Sequence, residues 1–360
     1  MKKFLSILFC VLRRTLLVVF TGAVLLLLGL VMVCNLIFNG PSPAARDVLT
    51  MSMLESSGMK WCPALFIGEE MVEKIQSEVF VPLPEEVSDA SQIIINTDLG
   101  ILTDEWKDYP DGIRIEEVYG DTYTAYVMLI RDPGSVYLAT STEHYSIDIP
   151  GKRLHNHIRT EGAIAAINGG AFNDDGTMGE YIGSLPMGLT VSGGRIVWND
   201  GTSYEGFVGF NEDDVLVVSN KMSAAKAKEL NIRDGCCFGP VLLMNGVVND
   251  TQFASNSGYN PRTAIGQRAD GTVIFLCVDG RQAGSLGATY ADLIDIMVEY
   301  GAVNACNLDG GASSTMMYRD TYGRYGQAGE LVMINNHAML QSMPRKMPTF
   351  FMVKPAEKEE

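Results

Sequence analysis

Apolar positions follow three different rhythms along the chain. Residues 16–38 contain no charge, and as a helix they reach about 35 Å at 1.5 Å per residue, more than the roughly 30 Å of a bilayer core. Residues 39–112 lose that continuity: prolines at 41, 43, 63, 82, 84 and 110 interrupt them, around one helix-like stretch at 44–56. From residue 113 onward the runs become short, β-branched and aromatic, with glycine between them. This texture predicts strands at 122–130, 136–141, 163–167, 189–198, 206–219 and 241–248. The last is broken by Asn245-Gly246, a hairpin turn signal. Helical periodicity is confined to 152–161, to 223–230 behind the cap Ser223, and to 290–300 behind Thr289.

Residues 272–314 read strand, helix, strand. A connection containing a helix suits a crossover between parallel strands, and such strands end on the same sheet rim. Asp279 and Asp309 stand at those two ends, each followed by glycine. Their backbones should lie roughly 5 Å apart if the strands are neighbours, and about twice that with one strand between. The expected fold class is α+β: a mixed, strand-rich sheet core with few helices and one βαβ crossover, preceded by a transmembrane helix. The expected domains are a cytoplasmic tail and signal anchor at 1–38, a stalk or adapter at 39–112, a catalytic domain at 113–355 and a charged tail at 356–360.

Charge sets the topology. Lys2, Lys3, Arg13 and Arg14 precede the uncharged run without any acid, so the positive-inside rule keeps the N-terminus in the cytoplasm and sends the body outside. The run exceeds the usual length of a signal-peptide apolar region of about 7 to 15 residues, which favours a retained, single-pass anchor in the cell membrane through residues 16–38. With a formal charge of −16, the chain lacks the basic surface that grips nucleic acid phosphates. The 7 cysteines show no metal-ligand spacing. Cys236, Cys237, Cys277 and Cys306 read as buried small hydrophobes, with a disulfide among Cys62, Cys236 and Cys237 as the alternative.

Polar chemistry gathers at strand ends. Asp279-Gly280-Arg281 sets a guanidinium beside a carboxylate, and Arg262 opens the preceding strand; arginine is suited to bidentate recognition of phosphate. A structural ion pair at a turn is the competing reading. Asn168-Gly169-Gly170 closes another apolar run, either as a plain turn or as an amide beside close-approaching backbone. Asn307, Asp309, Gly310, Gly311, Ser313, Ser314 and Thr315 concentrate amide, carboxylate, bare backbone and hydroxyls in one turn. The four histidines give no triad or metal spacing and read as ordinary surface or core residues.

The ordered series AIAAINGGAF, MGLTVSGGRIVW, FGPVLLMNG, NPRTAIGQRADGTVIFLCVDGR and GATYADLIDIMVEYGAVNACNLDGGASST resembles the phosphodiester glycosidase family, over residues 119–353. Ala171 and Ala312 depart from the expected pattern, the first where an aromatic is expected and the second where a third glycine is. The resemblance implies hydrolysis of a sugar-1-phosphodiester at the anomeric carbon; with the body outside the membrane, the expected substrate is a carbohydrate phosphodiester of cell-surface or exopolysaccharide glycans, and no cofactor is expected, with a divalent cation as the alternative. In that chemistry Asp279 and Asp309 are the paired carboxylates, with Glu180 as a reserve acid. Arg262 and Arg281 neutralise the phosphate, while Asn168, Asn307 and the hydroxyls of Ser313, Ser314 and Thr315 orient the substrate. Two alternatives remain: an anchored glycan-binding protein without catalysis, and a phosphoesterase holding a divalent cation between Asp279, Asn307 and Asp309.

Overall fold

The uncharged N-terminal run is helical in a computed structural model of the chain, where one helix covers Lys2–Phe38. Its segment Phe9–Phe38 is long and apolar enough to cross a membrane. The structure describes residues 2–56, 58–79, 83, 86–95, 105–173, 182–202, 204, 206–249, 254–337 and 344–355, in two units, Met1–Gln76 and Ser77–Glu360. In the first unit the long helix is followed by Pro43–Leu54, whose cap Ser42 accepts the Ala45 N–H at 3.3 Å. Phe38 stacks on Phe66 with ring centroids 5.0 Å apart.

Among the described residues, the second unit holds three large sheets and two two-stranded ones. A seven-stranded sheet runs in spatial order Ile113–Tyr119, Thr124–Ile130, Val273–Val278, Arg262–Arg268, Ala302–Leu308, Val241–Met244 and Val247–Val248. A five-stranded sheet has the order Leu216–Ser219, Phe207–Asn211, Ile232–Cys237, Leu189–Ser192 and Arg195–Asn199. The other has the order Glu330–Met333, Met316–Asp320, Ala165–Asn168, Thr349–Val353 and Val136–Thr140. One core joins them: Met128, Phe275, Cys277 and Leu308 from the first sheet pack with Val208 and Phe210 from the second and Leu138 and Phe351 from the third. The class is α+β.

Two of the expected strands are hairpins. The run 189–198 folds at Gly193-Gly194, both at positive φ (56° and 71°), and 206–219 turns between Asn211 and Leu216. Asn245-Gly246 turns the chain at φ 55° and 75° and pairs Met244 with Val247. The helix expected over 152–161 begins only at Leu154, because Lys152–Arg153 pairs with Lys346–Met347. The stalk expected over 39–112 is also divided. Ser88 N–H donates to the Val218 carbonyl and Ile94 N–H to that of Ala269, both at 2.9 Å, and Glu105 pairs with Arg268 at 3.0 Å. These residues belong to the second unit; besides backbone and charge, single apolar residues dock there, Leu83 and Val87 on its cores and Ile93 and Trp106 buried, too scattered to give a hydrophobic period in the sequence.

The crossover is present with one refinement. Helix Tyr290–Glu299, opened by a Thr289–Asp292 capping box, connects Val273–Val278 to Ala302–Leu308. Arg262–Arg268 is inserted between them and runs antiparallel to both. The two flanking strands are therefore parallel and end on one rim, where the inserted strand begins. Val278 lies opposite Arg262, and Thr263 opposite Leu308, so Asp279 and Asp309 leave the sheet on either side of Arg262, with backbones roughly 10 Å apart. Cys277 and Cys306 also lie on opposite sides of that strand, too far for the Cα separation of under about 7 Å that a disulfide needs. Cys236, Cys237, Cys277 and Cys306 are buried free thiols.

Candidate active site

Asp279 sits directly past its strand, where its N–H donates to the Thr124 carbonyl at 2.9 Å. It is 2% exposed, and its two carboxylate oxygens accept from one residue: Oδ1 from the Asn336 backbone N–H and Oδ2 from Asn336 Nδ2, each at 2.8 Å. The same Nδ2 donates to the Tyr126 hydroxyl at 3.0 Å. Burial raises the Asp279 pKa, and the bonds from Asn336 pull it partly back. Tyr126 is pushed up to about 12 by its own burial and then by the Asp279 charge.

Asn336 is absent from the candidates drawn from the sequence. It belongs to Asn335-Asn336-His337, a polar run immediately after the strand Glu330–Met333 and Ile334, and that position is the signal that could have found it. Asn335 fixes the run against the glycine turn: its Oδ1 accepts the Met316 N–H at 2.7 Å and its Nδ2 donates to the Ser314 carbonyl at 3.1 Å. His337 Nε2 lies 3.4 Å from Thr315 Oγ1, and burial lowers its pKa. One of the histidines read as ordinary thus borders the turn that follows Asp309.

Asp309 is half-buried and is held through its backbone. Its N–H donates to the Gly169 carbonyl at 3.2 Å, and its carbonyl accepts from Asn168 Nδ2 at 2.6 Å. Asn168 Oδ1 accepts Thr263 Oγ1–H at 2.8 Å and Thr315 N–H at 3.2 Å. Fully buried, Asn168 ties three strand ends together. Gly169 and Gly170 serve close approach: a Cβ would stand 2.4 Å from Thr349 Oγ1 at the first and 2.5 Å from the Cys237 carbonyl at the second. A Cβ at Gly310 would stand 2.8 Å from the Pro261 carbonyl, and that carbonyl accepts the Gly311 N–H at 2.8 Å.

The hydroxyls of this turn point inward. Ser313, Ser314 and Thr315 are at most 2% exposed, and Thr315 Oγ1 donates to the Ser313 carbonyl at 3.0 Å. Asn307 is also buried, donating from Nδ2 to the Gly239 carbonyl at 2.9 Å. All four lie inside the fold, Asn307 within its strand and the other three in or just past the turn.

The two arginines separate. Arg281 is half-buried at φ 58°, an uncommon conformation for a residue with a side chain. Its Nη2 donates to Asn260 Oδ1 at 2.9 Å. Its guanidinium lies against Gly311, where a Cβ would approach Nη1 to 3.2 Å, so it reaches from the Asp279 loop to the Asp309 turn. Arg262, the other arginine expected at the phosphate, lies inside the fold. It is 2% exposed, donates to the carbonyls of Ala288, Ser257 and Gly258 at 2.8, 2.9 and 3.1 Å, and lies 4.0 Å over the Tyr290 ring. Its cation holds loop and helix together beneath the rim. Glu180 lies outside the described residues, and among the described residues no group of three His, Cys, Asp or Glu is placed to hold a metal ion.

A buried carboxylate whose pKa is raised costs folding stability once it ionises. Stability attached to Asp279 is full below the ordinary aspartate pKa of about 3.9 and is lost as pH rises through its higher folded value. Asn336 can turn its amide to donate and accept against an asparagine, with the Tyr126 hydroxyl reversing its role. Asp279→Asn should therefore melt at or above the wild-type temperature at pH 7, the difference shrinking below about pH 4. Melting curves across that range check this, and a variant less stable at pH 7 than at pH 4 relative to wild type would contradict it.

The sequence profile of the family Phosphodiester glycosidase matches residues 161–354. Among curated relatives, the SPbeta prophage-derived uncharacterized protein YomE of Bacillus subtilis is 28% identical over 199 residues, covering 53% of this chain and 28% of its own length. N-acetylglucosamine-1-phosphodiester alpha-N-acetylglucosaminidase of Bos taurus is 30% identical over 183 residues, covering 46% of this chain and 33% of its own. The chain thus spans about a third of these relatives or less. Among solved structures, the catalytic domain of the zebrafish N-acetylglucosamine-1-phosphodiester alpha-N-acetylglucosaminidase, auto-inhibited by its pro-peptide, superposes with a TM-score of 0.51 at 21% identity, over 67% of this chain and 82% of that one. That likeness shows a shared fold, while the profile match takes in Asn168, Asp279, Arg281, Asp309 and Asn336. With more than half of its residues inside that match, the chain belongs to the phosphodiester glycosidase family.

Proposed function

We propose that this protein is a membrane-anchored, extracytoplasmic hydrolase that cleaves sugar-1-phosphodiesters at the anomeric carbon. One observation carries the reading: two parallel strands present Asp279 and Asp309 on a single rim, and Arg281 crosses between their loops. Glycosyl transfer through an oxocarbenium-like state uses such paired carboxylates. Asp309, the less buried of the two, acts at the anomeric carbon directly or through water. Asp279, fixed at both oxygens by Asn336, supplies negative charge beneath the developing cation. A phosphate monoester anion leaves readily, so its departure calls for charge neutralisation by Arg281 more than for a strong proton donor. Cleavage should release a reducing sugar and a phosphomonoester; release of a sugar 1-phosphate and an alcohol would assign the reaction to phosphorus.

Anchoring rests on the long apolar helix and the basic residues before it. A body outside the membrane has cell-surface glycan phosphodiesters within reach. Protease added to intact cells should remove the body and leave a short membrane fragment; a protected body would reverse the topology.

A further inference from the structure

The guanidinium of Arg281 belongs to a flexible side chain, yet it holds one place between two loops. A residue that receives it is Asn260, which is 1% exposed. The backbone of Asn260 is fixed in turn. Its N–H donates to the Ala288 carbonyl at 3.3 Å and its carbonyl accepts the Ala288 N–H at 3.0 Å. Gly287 packs against it so closely that a Cβ there would stand 2.5 Å from the Asn260 backbone. One residue on, the Pro261 carbonyl takes the Gly311 N–H at 2.8 Å. The dipeptide Asn260-Pro261 therefore grips the Asp279 loop by a side chain and the Asp309 turn by a carbonyl. An arginine side chain loses much rotamer freedom when it is fixed, and a fixed acceptor removes that freedom before an anion arrives.

Resting on the phosphodiester reading above, we propose that Asn260 is the positioning residue that aims Arg281 at the substrate phosphate, and so sets the preference for a phosphodiester over other leaving groups. Asn260 acts through Arg281, so the two should behave as one unit when both are changed.

The test uses the full chain in detergent micelles, with dimethyl phosphate as a sugar-free probe and calorimetry as the readout. Asn260→Ala and Arg281→Lys should each weaken binding about tenfold, the scale of one hydrogen bond from a charged donor. The double variant should be no weaker than either single variant by more than about twofold. Asn260→Asp keeps an acceptor for Arg281, and with it the fold, but sets a carboxylate beside the guanidinium; it should lose binding by tenfold or more at an unchanged melting temperature. The inference is overturned if Asn260→Ala or Asn260→Asp binds as wild type does, if the single effects multiply in the double variant, or if the wild-type chain binds no dimethyl phosphate. A wild-type chain that binds the probe as described but hydrolyses no sugar-1-phosphodiester refutes the functional reading and leaves the role of Asn260 standing.

Discussion

Changing Asp309 to asparagine should lower turnover of a sugar-1-phosphodiester by roughly a thousandfold or more, and Asp279→Asn should do the same, because a neutral amide cannot supply the negative charge that the oxocarbenium-like state requires. The fold should survive both changes. Asp309 is positioned by its backbone N–H and carbonyl, which contact Gly169 and Asn168, and those bonds do not depend on the side chain. Asp279→Asn can keep its contacts through a turned Asn336 amide. Circular dichroism and single-turnover rates on the same preparations separate chemistry from folding. Near-normal rates in both variants would move the reaction away from this rim, and Glu180 would be the next residue to change.

The largest expected loss of stability comes from Arg262. Replacing it with methionine strips three carbonyls of a charged donor and removes the cation from the Tyr290 face. With about 1.5–3 kcal/mol for a hydrogen bond to a charged group and about 2 kcal/mol for a desolvated cation–π contact, the cost should exceed about 3 kcal/mol. Chemical denaturation should show it as a lower midpoint at constant slope. Arg281→Lys should leave that midpoint nearly unchanged and act on substrate choice, weakening phosphodiesters far more than aryl glycosides, whose leaving group has no phosphate. If Arg262→Met melts as wild type does and selectively loses phosphodiesters, the two arginines have been assigned in reverse.

The rim was accessible from pattern alone because it depends on periodicity. Two apolar runs, a capped helix between them and an acid-glycine pair after each run suffice to bring Asp279 and Asp309 to one edge. The sequence could not show how far each polar side chain stands from solvent. Ser313, Ser314, Thr315 and Asn307 occupy an attractive cluster by composition, yet the turn at Gly310-Gly311 buries the first three and the strand Ala302–Leu308 buries Asn307. Arg262 and Arg281 look alike beside their strands; the first meets the carbonyls of Ser257 and Gly258, a few residues before it, and that of Ala288, 26 residues on, contacts that depend on how the loops fold rather than on any local period. Asn336 was missed because its partner lies 57 residues away. No local spacing encodes such a bond, although a polar triplet closing an apolar strand marks the place.

On this reading the bond broken lies at the anomeric carbon. Incubating the protein with a sugar-1-phosphodiester in oxygen-18 water and weighing both products tests it in one experiment. The label should appear on the hydroxyl of the released sugar and not on the phosphomonoester; label on the phosphate would place the attack at phosphorus instead.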